Sequence, residues 1–186
     1  MRKLTFEEIA SNRATLESVG SLTTLPVTVL VESIRSLYNI GSIFRTSDAA
    51  RIEKLVLTGY SPYPPRKEIE KTALGSTASV AWEYAKDPLH AAERIRSSGV
   101  RLCALELTDR SVPYDRVQAT DFPLCLVVGN ELTGISSRLL EQCDMAIEIP
   151  MAGIKHSLNV AVAYAVAVFE LARIWRAAST QSKASV

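Results

Sequence analysis

The chain has 186 residues, of which 47% are hydrophobic and 22% are charged, and its formal net charge at pH 7 is +1. This length predicts one domain with a substantial buried core. The near-neutral charge excludes a histone-like protein coated with basic residues. It does not exclude an enzyme acting on nucleic acid, because a local patch of Lys and Arg can supply phosphate contacts.

The cysteines and the apolar segments indicate the cellular setting. Cys103, Cys125 and Cys143 are widely spaced and form no CxxC pair, and the first two lie inside apolar runs. This favours buried free thiols over a disulfide or a metal site. The amino-terminal segment lacks the apolar core of a signal peptide, and the most apolar segment, LNVAVAYAVAVFELA, is shorter than the roughly 20 residues of a membrane span. We therefore expect a cytoplasmic protein without a membrane segment or a metal.

Strands and helices are predicted to alternate along the chain. Residues 1–25 form a polar extension with a short helix near Thr5–Ser11. Such alternation, with strands that are apolar on both faces, predicts an α/β fold with a mainly parallel sheet covered by helices on both faces. The order of the strands cannot be deduced from the pattern. Strands are predicted at 27–31, 55–59, 79–82, 100–107, 123–129 and 145–150, and helices at 40–50, 88–99 (with Asp87 as N-cap), 136–143 and 157–178.

Three junctions between a strand and a helix have unusual compositions. They are VESIRSLYNIGSIFRTSDAA after the first strand, VVGNELTGISS after the fifth and IPMAGIKHSLNVAVA before the last helix. In parallel sheets ligands bind beyond the carboxyl ends of the strands, so these junctions are candidates for a site. Each glycine-containing loop taken alone is more often simple turn chemistry.

Standard site motifs are missing from the sequence. No GxGxxG follows a strand and no GxxxxGK[ST] occurs, so a Rossmann dinucleotide site and a P-loop are unsupported. His156 next to Ser157 does not form a GxSxG elbow, and two histidines leave little scope for a catalytic triad or a zinc site.

Taken together, the three junctions resemble the SPOUT-class RNA methyltransferases, and specifically their TrmH (SpoU) branch, which methylates ribose 2′-hydroxyls. Asn39 followed six residues later by Arg45 matches the first motif, and Gly129–Gly134 matches the second, GxExxG. The third is matched by IPM at 149–151 and SLNV at 157–160. Ala161 departs from the Ser of many members. The resemblance covers about residues 27–175.

The resemblance implies a fold and a chemistry beyond what the pattern predicts. It implies a methyltransferase domain at residues 26–178, before a polar tail at 179–186, with a deep trefoil knot in its carboxyl-terminal part. It implies S-adenosylmethionine as cofactor, RNA as substrate and a homodimer whose active sites share residues across the interface. Matching cofactor-binding positions are Gly129, Asn130, Ile149, Met151 and Leu158, to which we add Leu105 and Glu106 at the end of a neighbouring strand.

Arg45 is the strongest catalytic candidate. A guanidinium is almost always protonated, so we expect Arg45 to clamp the phosphate beside the ribose and to stabilise charge on the 2′-oxygen, rather than to act as a base. The structural alternative is an exposed helix residue paired with Asp48. The side chains expected to orient Arg45 and the ribose are Asn39, Glu131, Ser157 and Asn159, and Ser157 is also expected to cap the last helix.

RNA-binding residues and subunit contacts are predicted with less specificity. The candidates for phosphate contacts are Arg35, Arg51, Lys155 and Arg173, with Arg66 and Lys67 close to the loops. The last helix is apolar almost all round, which predicts burial in the core or in a dimer interface. Because a separate RNA-recognition domain has no room before residue 27, we favour tRNA over a large ribosomal site. Two alternatives stay open: a catalytically idle relative that binds RNA or cofactor, and a different α/β nucleotide-binding enzyme.

Overall fold

A seven-stranded sheet forms the centre of the protein, whose computed structural model describes residues 1–184. Every pair of neighbouring strands in it is parallel. The predicted α/β class is therefore confirmed. The strands are β1 (Leu25–Glu32), β2 (Ile52–Thr58), β3 (Trp82–Ala85), β4 (Arg101–Leu105), β5 (Val112–Pro113), β6 (Leu124–Val128) and β7 (Met145–Glu148).

The strand order is β3-β2-β1-β6-β4-β7-β5, which places β1 near the middle of the sheet. Val29 of β1 pairs with Leu55 on one side and with Leu126 on the other. Because the strands are parallel, the segments that follow β1, β6, β4 and β7 all leave the sheet at the same edge. The three unusual junctions of the sequence therefore meet at the carboxyl ends of four adjacent strands.

Helices cover both faces of the sheet. They are α1 (Phe6–Ser11), α2 (Leu37–Ala50), α3 (Lys67–Ala73), α4 (Pro88–Ser97), α5 (Ser137–Leu140) and α6 (Val160–Ala184). Residues of α2, α3 and α6 belong to one buried apolar cluster, and residues of α4 and α5 belong to the other. The sheet thus separates two cores, as the predicted architecture requires.

Alternation along β1 shows how the sequence builds both cores at once. Val27, Val29 and Val31 are fully buried in the core that contains α2 and α6, whereas Leu30 is fully buried in the other core. Successive strand residues point to opposite faces, so a β-branched and apolar run satisfies both layers. Burial of each such side chain contributes about 1.5–3 kcal/mol to folding.

Helix α2 begins and ends through local chemistry. Ser36 is its N-cap, with an extended backbone and a hydroxyl that accepts a hydrogen bond from the Asn39 amide at 3.2 Å. Its buried face includes Ile40, Ile43 and Phe44, and it ends at Arg51, whose φ of 58° breaks the helical path. The helix therefore holds Asn39 in its first turn, next to the carboxyl end of β1.

The structure differs from the predicted elements in several places, and both α2 and β2 begin three residues earlier than predicted, at Leu37 and Ile52. Helix α3 and the two-residue strand β5 were not predicted, because a helix of seven residues and a strand of two carry little periodicity. The third strand starts at Trp82, where the prediction ended, since the Ser79 hydroxyl bonds to Asp48 and the Ser76 carbonyl in a turn. Helix α6 starts at Val160 and not at Ser157, and it continues into the predicted polar tail as far as Ala184.

The amino-terminal extension contains the predicted short helix and is tied to the domain by Arg51. Thr5 caps α1 in a reciprocal arrangement with Glu8. One terminal nitrogen of Arg51 donates to the carbonyl oxygens of Val19 and Leu22, at 2.6 and 2.9 Å. Among residues 1–184, no helix is both long enough and apolar enough to cross a membrane.

All three cysteines are free thiols, as predicted. Cys103 and Cys125 are completely buried and Cys143 is half-buried. Burial raises the pKa of each thiol, in the case of Cys143 to about 12 with a further contribution from the neighbouring Asp144 carboxylate. The thiols therefore stay protonated at neutral pH and behave as small apolar side chains.

Candidate active site at the carboxyl edge of the sheet

The GxExxG segment forms a tight loop after β6. Asn130 and Gly134 exchange two backbone hydrogen bonds of 3.0 Å, and Gly134 has a φ of 66°. A Cβ atom on Gly129 would lie 2.3 Å from the carbonyl carbon of Gly134 and from the amide nitrogen of Ile135. Gly129 is thus required for the close approach of the two ends of the loop. The close approach at Gly129 and the positive φ of Gly134 together explain why the motif has two glycines five residues apart.

Glu106 holds the same loop from the neighbouring strand β4. Its Oε2 accepts a hydrogen bond from the Ile135 amide at 3.0 Å, and its Oε1 accepts one from the Leu107 amide at 3.1 Å. A Cβ atom on Gly134 would lie 2.3 Å from that Oε2. Glu106 therefore fixes the backbone of the loop.

The carboxylate of Glu131 joins the GxExxG loop to the start of α2. Its Oε2 accepts a hydrogen bond from the Arg35 amide at 2.9 Å. Its Oε1 accepts from the Ser36 amide and from Nδ2 of Asn39, both at 3.0 Å. Two of the three motifs of the sequence are thus connected by one side chain.

These donors determine the charge of Glu131. Partial burial by itself raises the pKa of the carboxyl group, but the hydrogen bonds from Arg35, Ser36 and Asn39 outweigh it and hold the pKa below its ordinary value. Glu131 is therefore a fixed anion at neutral pH. Since its oxygens are engaged by these donors, it acts as a support for the loop and for Asn39 and is poorly placed to be a proton acceptor.

Asn159 links the third motif to the first. Its Oδ1 accepts hydrogen bonds from the amides of Ala161 and Val162, at 3.0 and 3.4 Å, and its Nδ2 donates to Oδ1 of Asn39 at 3.2 Å. Asn159 is thus the residue that caps α6. The expectation that Ser157 caps this helix is wrong, because α6 begins only at Val160 and Ser157 lies exposed in the preceding loop.

Asn130 uses its side chain within the loop and its surroundings. Its Oδ1 accepts from the amides of Leu132 and Thr133, at 2.9 and 3.2 Å, and its Nδ2 donates to the Ser33 carbonyl and to the Tyr60 hydroxyl, at 2.7 and 2.8 Å. Asn130 is only 7% exposed. Its main effect is to fix the GxExxG loop against the segments that follow β1 and β2.

A cavity of about 550 Å³ opens between the ends of β6, β4 and β7 and the start of α6. This volume lies in the usual range for small-molecule sites. All seven residues predicted to bind the cofactor line it, together with three of the five predicted catalytic residues. The predicted residues in its wall are Leu105, Glu106, Gly129, Asn130, Glu131, Ile149, Met151, Ser157, Leu158 and Asn159.

Arg45 lies apart from this cavity. It is on the exposed face of α2, six residues beyond Asn39, which corresponds to about 9 Å along the helix axis. Asp48 accepts a hydrogen bond from Ser79 at 2.5 Å. Within residues 1–184, Arg45 forms no ion pair with Asp48 and no hydrogen bond to the Asn39–Glu131–Asn159 cluster. One chain alone therefore does not orient Arg45 as expected.

Among residues 1–184, no group of three or more His, Cys, Asp or Glu side chains is placed to hold a metal ion.

Comparison with known proteins places this geometry in a family. Residues 26–169 match the SpoU rRNA Methylase family, which is most of the chain and contains all three motifs. The chain belongs to the SpoU rRNA Methylase family.

Individual relatives show how far the similarity extends. The chain is 30% identical over 147 residues to the tRNA (guanosine(18)-2′-O)-methyltransferase of Escherichia coli strain K12. That match covers 79% of this chain and 63% of the relative, so the chain corresponds to somewhat less than two thirds of that protein.

Solved structures share the fold of this SpoU family chain. The TrmH/SpoU tRNA modifying enzyme of A. aeolicus matches with a TM-score of 0.79 and 30% identity, over 90% of this chain and 84% of that one. The AdoMet-bound rRNA methyltransferase from Sinorhizobium meliloti matches with a TM-score of 0.73 and 28% identity, over 81% and 60% of the two chains.

The residues predicted to bind RNA occupy different environments in this SpoU family chain. Arg35 and Lys155 are exposed near the loops that surround the cavity. The Arg51 guanidinium is held by the carbonyls of the amino-terminal extension, and Arg173 forms a two-pronged ion pair with Glu170 at 2.6 and 2.8 Å. Arg35 and Lys155 are therefore better placed for phosphate contacts than Arg51 and Arg173.

Two residues that contribute to the site were not predicted from the sequence. Ser36 caps α2 and supplies an amide to Glu131, and Tyr60 supplies a hydroxyl to Asn130. Ser36 could have been predicted from the sequence, because a Ser three residues before Asn39 stands just ahead of a segment with helical spacing, where an N-cap is expected. Tyr60 carried no comparable signal, because it lies in an irregular proline-rich loop.

Proposed function

We propose that this chain transfers a methyl group from S-adenosylmethionine to a ribose 2′-hydroxyl of RNA. The observation that carries the proposal is the meeting of a cofactor-sized cavity with the Glu131–Asn39–Asn159 cluster at one edge of the sheet. The names of the relatives support it, since they describe a tRNA 2′-O-methyltransferase and an AdoMet-bound rRNA methyltransferase.

The cavity has the features needed to hold the cofactor. Gly129 exposes backbone where any side chain would collide with the loop. Leu105, Ile149 and Leu158 supply apolar walls on which an adenine ring can lie, while nearby backbone groups can hydrogen bond to its edge. The amino end of α6 also reaches the cavity through Val160, and helix amino termini favour negatively charged groups such as a carboxylate.

Four of the predicted catalytic residues take part directly in the proposed reaction, and Glu131 supports Asn39. When bound, the cofactor supplies an electrophilic methyl group. The Asn39–Asn159 pair and Ser157 line the approach to it and can position a ribose by hydrogen bonds. Arg45, on the exposed side of α2, contacts the phosphate next to that ribose and stabilises charge that develops on the 2′-oxygen.

We further propose a homodimer whose interface includes the outer face of α6. One face of this helix is in the core, with Tyr164 and Val168 fully buried, but Val162 and Phe169 on the other side are 49% and 46% exposed. Ile154, in the loop before α6, is completely exposed. Pairing of two such surfaces would remove apolar area from water and would bring residues of one subunit close to the site of the other.

Four finer assignments complete the proposal. We place the protein in the cytoplasm, give its carboxyl-terminal part the deep trefoil knot of the SPOUT class, and keep residues 26–178 as the methyltransferase domain. We favour tRNA as the substrate. The support is the resemblance of the three motifs and the tRNA-modifying activity in the names of two similar proteins.

The deciding experiment is transfer of labelled methyl groups from S-adenosylmethionine to total tRNA and to total rRNA, followed by mapping of the modified nucleoside. We expect label in a 2′-O-methylated nucleoside of tRNA. Label in rRNA alone would reject the tRNA preference. Cofactor binding by calorimetry without transfer to either pool would favour the catalytically idle alternative, and preferential binding of ATP or NAD would reject the proposed cofactor.

A further inference from the structure

Three exposed tyrosines lie towards the same edge of the sheet as the candidate active site, two in the loop after β2 and one within β3. They are Tyr60, Tyr63 and Tyr84, with 63%, 41% and 38% of their surface exposed. We call these three residues the tyrosine strip. None of them is explained by packing of the core or by the proposed methyl transfer.

The rings of the tyrosine strip are held in place. The Tyr84 hydroxyl donates to the Gly59 carbonyl at 2.5 Å, which ties β3 to the loop that follows β2. The ring centroids of Tyr63 and Tyr84 are 4.6 Å apart with an angle of 35° between the planes, and Tyr63 also lies 6.4 Å from the Trp82 ring. Such a fixed aromatic surface loses little conformational entropy when a flat ligand stacks on it.

The strip is connected to the site through two hydrogen bonds. The Tyr60 hydroxyl accepts from Nδ2 of Asn130 in the GxExxG loop, at 2.8 Å. Ser61, the next residue, is buried and accepts from the Ile34 amide at 3.0 Å, immediately before Arg35, whose own amide binds Glu131. The strip and the catalytic cluster therefore belong to one rigid set of loops.

Position and charge suit a single strand of nucleic acid. The ends of β3 and β6 are three strand spacings apart, or about 14 Å, so a few nucleotides can span from the strip to the cavity. Exposed cations flank the strip at Arg66, Lys67 and Lys86. An exposed aromatic surface bordered by Lys and Arg is the usual arrangement for stacking bases while holding the backbone.

We propose that the tyrosine strip stacks the bases of nucleotides next to the one whose ribose enters the active site, with Tyr60 and Tyr63 as the stacking surfaces. This inference rests on the proposed function for the identity of RNA as the substrate. It adds a base-binding site that accepts unpaired nucleotides, so the target region must be single-stranded or opened when it binds.

The test uses a single-stranded RNA of twelve nucleotides that contains 2-aminopurine, whose fluorescence falls when the base stacks. The variant Tyr63→Leu retains apolar bulk but has no ring at this position, and it leaves the hydrogen bond between Tyr60 and Asn130 in place. Tyr63→Phe is the matched control, since the Tyr63 hydroxyl has no hydrogen-bond partner within residues 1–184. We expect quenching with the native protein and with Tyr63→Phe. In Tyr63→Leu we expect quenching to be reduced and affinity to fall roughly 5- to 150-fold.

Other measurements separate this inference from the proposed function. S-adenosylmethionine binding by calorimetry should be unchanged in Tyr63→Leu, which shows that the site is folded. If the native protein transfers methyl groups and Tyr63→Leu leaves both quenching and RNA affinity unaltered, the base-stacking role of the strip is overturned while the proposed function stands. If quenching depends on the aromatic ring and the native protein transfers no methyl group to tRNA or rRNA, base stacking by the strip is supported and the proposed methyl transfer is rejected. If light scattering shows a changed oligomeric state in Tyr63→Leu while quenching is unaltered, the strip is a subunit contact and the inference is overturned.

Discussion

The side chains of Asn39 and Asn159, 120 positions apart in the sequence, are hydrogen bonded at 3.2 Å. Asn39 is in the first turn of α2, and Asn159 caps α6. Glu131 binds the other end of the Asn39 amide. The three motifs that identify the family are therefore one connected group, in which Asn159 also caps its own helix and Glu131 also binds the backbone at the start of α2.

The two roles of Asn159 can be separated by substitution. Asn159→Ala removes both the helix cap and the donor to Asn39, and we expect a loss of about 0.5–2 kcal/mol of stability together with a loss of activity. Asn159→Asp retains a cap of equal quality but cannot donate to Asn39. We expect near-native thermal unfolding and a loss of methyl transfer of roughly tenfold or more. Native turnover in Asn159→Asp would show that the bond to Asn39 has no catalytic importance.

Arg45 is expected to affect turnover but not the fold. Because it is exposed, Arg45→Ala should change the free energy of unfolding by less than about 0.5 kcal/mol. We expect intact cofactor binding by calorimetry and a fall in methyl transfer of roughly 100-fold or more, as for loss of a charge-stabilising group. Arg138→Ala, at another exposed helix position, is the control. Unimpaired transfer in Arg45→Ala would contradict the catalytic assignment.

Gly129 should not tolerate even a methyl group. In Gly129→Ala the new Cβ would lie 2.3 Å from backbone atoms of the same loop, so the loop must move. We expect a loss of about 1–3 kcal/mol of stability and weaker S-adenosylmethionine binding by calorimetry. Gly20→Ala is the matched control, because no atom lies within 4 Å of its added Cβ. Equal cofactor affinities in the two variants would remove the loop from the cofactor site.

Glu131 should contribute to the dependence of stability on pH. Its folded-state pKa is below the ordinary value of 4.5, so its stabilising effect is complete above that pH and is lost as pH falls through the folded-state pKa. Denaturant unfolding between pH 7 and pH 3 should therefore show a smaller acid loss for Glu131→Gln than for the native protein. At pH 7 the variant should be less stable by about 1 kcal/mol or more. Parallel acid curves would show that the carboxylate is not selectively bound in the folded state.

The buried thiols predict a pattern of chemical reactivity. Burial raises the pKa of all three cysteines, so little thiolate forms at pH 8. We expect no labelling of Cys103 or Cys125 by iodoacetamide in the native protein, slow labelling of Cys143, and complete labelling of all three in guanidinium. Mass spectrometry of peptides gives the measurement. Rapid native labelling of Cys125 would contradict its position in the core.

The sequence predicted the parts of the fold that depend on local pattern. Val27–Val31 is apolar on both faces and Asp87–Pro88 is a standard helix start, and both predictions are confirmed. The helix that begins at Val160 was placed three residues early because Ser157 and Asn159 are both good caps. In the structure the helix begins after Asn159, whose side chain also bonds to Asn39, and this tertiary contact cannot be read from the local pattern.

Ten of the residues that line the cavity were named from the sequence, but the bonds between them were not, and Arg45 lies outside the cavity. Pattern alone could not give the strand order, since pairing of β1 with β6 depends on contacts between residues 97 positions apart, such as Val27 and Leu124. It could not show that Glu131 binds Asn39 and two amides, because those partners are non-local. The family resemblance supplied the roles of Gly129 and Glu131, and the structure supplied the physical reasons: a backbone contact too close for any Cβ atom and a fixed, hydrogen-bonded anion.

The central position of β1 has a consequence for synthesis of the chain. One edge of β1 can pair with β2 once residue 58 has left the ribosome, but its other edge must wait for β6, which ends at residue 128. During that interval an apolar strand has an open edge in an incomplete sheet. Sheets with such distant pairings form slowly and are exposed to aggregation until they close. The same strand that aligns the loops of the candidate site thus leaves the nascent chain with an open apolar edge until β6 has been made.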